Sequence, residues 1–327
     1  MVFLACIGGY ALLQNSSRNS TYHGERFALR VGIPKSGGEH SGLVTIADTK
    51  GYFVDEGLDV SLTEEEDGVA ILNSLHAGRD DIVVTVDLPF VNDSFVSTST
   101  KIISTINLSN TINVIARRDA GISSPNDLKG KKIGVVSHTD SEFFLQRFLL
   151  LSEVSRTEVT IVPITYPTAM EAIMSGAVDA VIINDPSAYN ISKALGTNGV
   201  SWPAQYGRPV IFIAVSNDTF IHSHPQVIER FLRALVRAQD FIKSNPDQAK
   251  QIVREHFGFT QKYIDKVWGD NTFSVQIDQS ILPVMEAEAQ WLQSNKAVGS
   301  TTIPNYLERI YLDGVSAIAP KGVNVIR

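Results

Sequence analysis

The chain has a single cysteine, Cys6, in 327 residues. One thiol excludes an intrachain disulfide and a thiolate metal cluster, and its place ahead of the first strand pattern leaves no cysteine nucleophile in the folded body. Net positive charge is also missing. With 28 basic against 35 acidic side chains the chain stands at −7, so it offers no broad attraction to nucleic acid phosphates. The seven histidines make no metal-ligand spacing: His222 and His224 flank Ser223, and the rest are scattered. There is no G-x-S-x-G elbow and no G-x-x-x-x-G-K-[ST] phosphate cradle, so any ATP hydrolysis belongs to a partner. No Pro- or Ser-rich linker divides the chain.

Long apolar runs are scarce too. Met1 to Leu13 is apolar but too short and Gly-broken for a membrane span, and a polar stretch follows it. Residues 1–26 are therefore expected to be an anchor and tether. Phe3-Leu4-Ala5-Cys6 resembles a bacterial lipobox, which makes Cys6 the candidate lipidation site; a plain signal remnant is the other reading.

What is present is a 43% hydrophobic composition, suited to a folded globule, at a length that suggests two lobes. From Phe27 onward short β-rich runs alternate with helical patterns, the mark of an α/β fold with a mostly parallel sheet. Phe27, Leu29, Val31 and Ile33 alternate as a strand, and Leu58, Val60 and Leu62 do the same. Ile82 to Val86, Lys132 to Val136, Val159 to Ile164, Asp179 to Ile183 and Val210 to Val215 read as further strands. Everything beyond His224 reads helical. A helix, a glycine, an aspartate and an apolar strand follow one another at Gly78 to Val84 and again at Gly176 to Ile183, which suggests two lobes of like design. The expected division is residues 27–116 plus 210–327 for the first lobe and 117–209 for the second, with strand-like hinges near Arg117 and Pro209.

Ligands of open α/β sheets collect beyond the carboxyl ends of strands, where helix N-termini present free N–H groups. That rule selects residues 34–41, 85–90, 137–140 and 184–189. In the first loop Lys35, Ser36, Gly37, His40 and Ser41 are candidate ligand contacts, the glycine for close backbone approach and the basic residues for charge. Ser137, His138 and Thr139 are candidates in the third, where capping by Thr139 or Asp140 is an equal reading. Thr85, Asp87, Asp185 and Tyr189 complete the set. Two aspartates in one cleft would repel a simple anion, so if they face ligand a zwitterion, a heteroaromatic amine or a polyhydroxy compound fits better. As helix caps, which Asp185-Pro186 and Asp87-Leu88-Pro89 both permit, they would not bear on the ligand's charge.

The segments Leu29-Arg30-Val31-Gly32-Ile33-Pro34, KGYFVDEGLDV (50–60) and SPNDLKGKKIGV (124–135) resemble the sulfonate, nitrate, taurine and thiamine-precursor group of ABC-transporter periplasmic binding proteins. The resemblance runs roughly from Phe27 to Leu312. It implies a type II periplasmic-binding-protein fold: two Rossmann-like lobes with a ligand cleft between them. It further implies a non-enzymatic solute-binding component without cofactor or metal, monomeric, working outside the cytoplasmic membrane. Its partners would be a small-molecule ligand, a permease with a separate ATPase subunit, and the membrane through the Cys6 anchor, with no nucleic acid. The rival is an enzyme on the same scaffold, of the thiamine-pyrimidine or menaquinone-pathway type, although the synthase branch carries a cysteine cluster missing here. A ligand-sensing domain is the third reading and would need a separate output partner.

Overall fold

Alternation along the first strand follows the expected period, with Leu29, Val31 and Ile33 fully buried while Ala28 and Arg30 face solvent. The structure is a computed structural model that describes residues 22–35, 37–137 and 139–326. Cys6 and the proposed tether lie outside them.

Eleven strands form two sheets among the described residues. In chain order they are β1 (Phe27–Pro34), β2 (Leu58–Glu65), β3 (Ile82–Val86), β4 (Thr100–Ser109), β5 (Ile112–Arg117), β6 (Lys132–Val136), β7 (Thr160–Ile164), β8 (Ala180–Asn184), β9 (Gly199–Pro203), β10 (Val210–Asn217) and β11 (Asn271–Gln276). The first sheet has the order β11-β4-β10-β3-β1-β2, the second β7-β6-β8-β5-β9. Each is mixed: β1 pairs parallel with β2 and β3, and β6 with β7 and β8, whereas β10 and β5 run antiparallel to their neighbours. Helical crossovers account for the parallel pairs.

Two expectations need correction. The chain beyond His224 is not wholly helical, because β11 (Asn271–Gln276) adds an antiparallel edge strand to β4. Its sequence, NTFSVQ, is too short and polar to stand out before its backbone partners are known. The first crossing also lies earlier than Arg117. Strand β5 already pairs with β8 and β9 of the second sheet, so the chain changes lobes at residues 110–111 and returns through 204–209.

Among the described residues two crossings join the sheets. Gln205, buried between them, accepts the Ile112 N–H at 2.9 Å and donates to the Ser109 carbonyl at 2.7 Å. Its amide thereby satisfies backbone groups that leave the ladder where the strand turns from one sheet to the other. Packing follows that division only in part, since the larger apolar cluster also takes in Val114, Ile133 and Ile182 of the second sheet. A larger apolar cluster runs from the first sheet into the helix Asp140–Leu151, and a smaller one, with Ile115, Val181, Ile183 and Ile191, belongs to the second lobe. The helix Pro225–Ser244 buries Val227, Phe231, Leu235 and Ala238, and the Phe231 ring stacks on Phe53 at 5.5 Å. Among the described residues no helix is long and apolar enough to cross a membrane.

Candidate functional site

The ends of β1, β3, β6 and β8 converge on one cavity between the sheets. The first lobe contributes Pro34 and His40 after β1, Thr85, Val86 and Pro89 at the end of β3, and Asp67, Gly68 and Val69 at a helix start. The second contributes Thr139, Asp140 and Ser141 after β6, Asn184 at the end of β8, and Tyr166. Thr111, Ile112, Val210 and Phe212 close it on the crossing side. Its volume is about 50 Å³, room for roughly three to five waters at about 10–15 Å³ each.

At one end sits His40. Its ring lies 4.2 Å from the Phe212 ring, its Nδ1 is 2.8 Å from Asn271 Oδ1, and its Nε2 is 3.4 Å from the Thr111 hydroxyl. The loop before it turns through Gly37 at φ +69°, where an added Cβ would stand 2.5 Å from the His40 ring. Glycine is the residue that allows both the left-handed turn and that approach. Beside His40, the fully buried Glu39 accepts the Tyr263 hydroxyl at 2.5 Å, while no donor reaches its Oε2. Burial and the facing Glu39 carboxylate push the Tyr263 phenol well above its ordinary range.

Asp185 comes to this end from the second lobe. Its Oδ1 accepts the Tyr189 N–H at 2.8 Å in the first turn of the helix Ser187–Leu195, whose N-cap is Pro186. Burial raises its carboxyl to about 7, opposed by Lys266 and reinforced by Glu39. The Tyr189 ring packs edge-on to Tyr263 at 5.2 Å, with the Lys266 ammonium 5.2 Å from its centroid.

At the other end Asp140 opens its helix and faces Asp87, Glu288 and Arg208. Asp87, Asp140 and Glu288 are all buried, and one oxygen of each lies within 4.8 Å of the others. Arg208 donates to Glu288 at 2.7 Å and stacks 4.4 Å over Phe143. Burial raises Asp87 to about 6 against the pull of Arg208. Burial, and then the Asp87 charge, hold Asp140 and Glu288 well above the usual carboxylate range.

Of the residues the sequence nominates, His40, Thr85 and Thr139 line the cavity. Asp87 lies behind Asp140, bonded to the Leu88 N–H, and Asp185 and Tyr189 lie behind the His40 end. Ser41 is buried at the N-cap of Gly42–Thr49 without a side-chain cap bond. Lys35 and Ser137 are exposed, and Ser36 and His138 fall outside the described residues. Thr139 occupies the N-cap, yet its hydroxyl donates back to the Val136 carbonyl rather than accepting a helix amide. Sequence reasoning missed Glu39, Asn184 and Asp140 as cleft groups although each lies in a nominated loop. It also missed 67–69, Arg208 and Glu288, which carry no local signal.

Two mixed α/β lobes, joined by two crossings and holding a cavity at their strand ends, constitute a type II periplasmic-binding-protein fold. Matching over residues 38–249, the chain belongs to the NMT1/THI5-like family. It is similar to the formylaminopyrimidine-binding protein of Halalkalibacterium halodurans, with 25% identity over 64% of each chain. The taurine-binding periplasmic protein of Escherichia coli is 27% identical over 38% of this chain and 40% of that one. An enzyme, the 4-amino-5-hydroxymethyl-2-methylpyrimidine phosphate synthase of Aspergillus parasiticus, is 25% identical over 62% of this chain and 63% of its own. The chain thus spans less than two thirds of the length of each of these relatives. In architecture it resembles the alkanesulfonate-binding protein SsuA of Xanthomonas axonopodis pv. citri, solved with MOPS bound, with a TM-score of 0.74, 15% identity and coverage of 88% and 99%.

Proposed function

We propose that the protein is the extracytoplasmic solute-binding component of an ABC importer, which takes a small organic solute between its lobes and presents the closed form to a permease. The observation that carries this reading is the cavity itself, walled by loops of both lobes at the carboxyl ends of β1, β3, β6 and β8. Two short crossings tied by Gln205 suit a hinge, and closure on a ligand is how such a molecule signals occupancy. Similarity to proteins named for binding formylaminopyrimidine and taurine supports the role. On this reading the residues that meet solute are His40, Thr85, Thr139, Asp140, Ser141 and Asn184.

The test is a thermal-shift screen of purified protein against pyrimidines, amines, taurine, alkanesulfonates and nitrate. A ligand at a hundredfold excess over its Kd adds about 2.7 kcal/mol of stability. Scattering should show compaction with the same compound, and failure of every class to stabilise or compact the protein would end the proposal. The similarity to the Aspergillus parasiticus synthase favours a second reading, that of an enzyme. Mass spectrometry of the recovered ligand separates the two, since a binding protein returns it unchanged.

A further inference from the structure

Charge does not balance at the Asp140 end of the cleft. Asp87, Asp140 and Glu288 together carry three negative charges when ionised, and Arg208 supplies one positive charge, leaving an excess of two. A buried excess of that size is costly unless something neutralises it. Burial raises all three carboxyls above the ordinary range, so the cluster retains protons to a higher pH than free acids do. Asp140 is the member that lines the cavity, and no donor reaches its Oδ1. Asn184 lines the same cavity from β8, and its buried Oδ1 is likewise without a donor. Both orphan atoms are acceptors, so the missing partner carries N–H or O–H groups.

Anions are poorly served by the same walls. A helix N-terminus attracts a sulfonate through its free amides, but Asp67 already accepts from the Val69 and Ala70 N–H groups at 3.0 Å each. The start of Asp140–Leu151 holds its own carboxyl.

We infer that the cleft selects an organic cation, an amine or amidine whose N–H groups pair with Asp140 and whose charge replaces a proton of the Asp87–Asp140–Glu288 cluster. The inference rests on the solute-binding reading and deepens it. A divalent metal ion would supply the same charge. The organic source fits better, because a bare ion takes six or more oxygen ligands or waters, whereas Arg208 already fills one side here and Pro34, Val86, Pro89, Val210 and Phe212 offer apolar walls to a carbon skeleton. As the cation binds, a carboxyl O–H bond in the cluster breaks and the proton passes to buffer, so charge is conserved.

Calorimetry on EDTA-treated full-length protein tests this with benzylamine, benzamidine and 4-amino-5-aminomethyl-2-methylpyrimidine set against benzenesulfonate and butanesulfonate. Ca²⁺ and Mn²⁺ form a separate arm. Repeating titrations in phosphate and Tris at pH 7, buffers of different ionisation enthalpy, counts protons released. The expected result is binding by at least one organic cation with proton release and no response to the sulfonates. Asp140→Asn, checked for a wild-type melting transition, should weaken binding about ten- to hundredfold and abolish the release. Sulfonate binding without cation binding overturns the inference and leaves solute binding intact. A response to Ca²⁺ or Mn²⁺ alone overturns it in favour of a metal site, and silence from all arms removes both readings.

Discussion

Gln205 holds Ile112: the side-chain Oε1 on the returning crossing accepts the backbone N–H that opens β5 on the outgoing one, at 2.9 Å. The same amide donates to Ser109, the last residue of β4. One buried side chain therefore ties both connections between the lobes.

Gln205→Ala should leave the Ile112 N–H and the Ser109 carbonyl short of a partner in a buried place. The expected cost is about 1–3 kcal/mol, read as a lower urea midpoint. Gln205→Glu keeps the acceptor for Ile112 but sets a buried carboxylate against the Ser109 carbonyl, and should lower the midpoint at least as much. An unchanged midpoint in the alanine variant would mean water replaces the amide and the tie is dispensable.

Stability should fall as pH rises between about 4 and 7. Asp87, raised to about 6, and Asp185, raised to about 7, both have folded values above the unfolded carboxylate range near 4. The stability they confer is complete below the unfolded value and is lost as pH climbs through the folded one, by at most about 1.4 kcal/mol per pH unit for each titrating group. Asp87 titrates facing Asp140, Glu288 and Arg208, and Asp185 facing Lys266, Glu39 and Asp270. Asp185→Asn keeps an acceptor for the Tyr189 N–H and should flatten the melting-temperature profile above pH 6. A profile as steep as that of the parent would dismiss Asp185 as a contributor.

Gly37→Ala should damage binding more than folding. Left-handed backbone costs alanine roughly 1 kcal/mol, and the new methyl would meet the His40 ring at 2.5 Å. His40 must then leave its place between Phe212 and Asn271. Comparing the ligand-induced melting shift with the melting point of the empty variant checks this; equal binding would place His40 outside recognition.

Trp291 should report closure. It belongs to the helix Ile281–Ser294 of the first lobe, yet its ring packs edge-on to Phe143 of the second at 5.5 Å and its Nε1 donates to Gln146. Solute that shuts the lobes should shift its emission to shorter wavelength, and Trp291→Phe should remove most of that change. Emission carried instead by Trp202 or Trp268 would locate the moving contact elsewhere.

Strands with one apolar face or a continuous apolar run were legible. β1, β3, β6, β7, β8 and β10 fall within a residue or two of the pattern and β2 runs three residues beyond it, because the hydrophobic period is a local property. β4 was not. Its sequence, TKIISTINLS, is buried along most of its length although six of its ten residues are polar, and those polar side chains become tolerable only with partners from distant segments. Thr100 donates to Asp93, and Asn107 donates to Asn271.

The amino-acid sequence by itself determined the alternation of strands and helices, the two-lobe class, and the four loops from which the cavity is built, since each depends on periodicity, caps and chain direction. Tertiary structure alone decided which atoms those loops present. Arg208 and Glu288 lie 80 residues apart and meet only when the second crossing returns beneath the helix Ile281–Ser294. Asp140 joins them from the opposite lobe. Burial, which turns these ordinary charged residues into a cluster in need of protons or a cation, is a property of the packed whole and is written in no single segment.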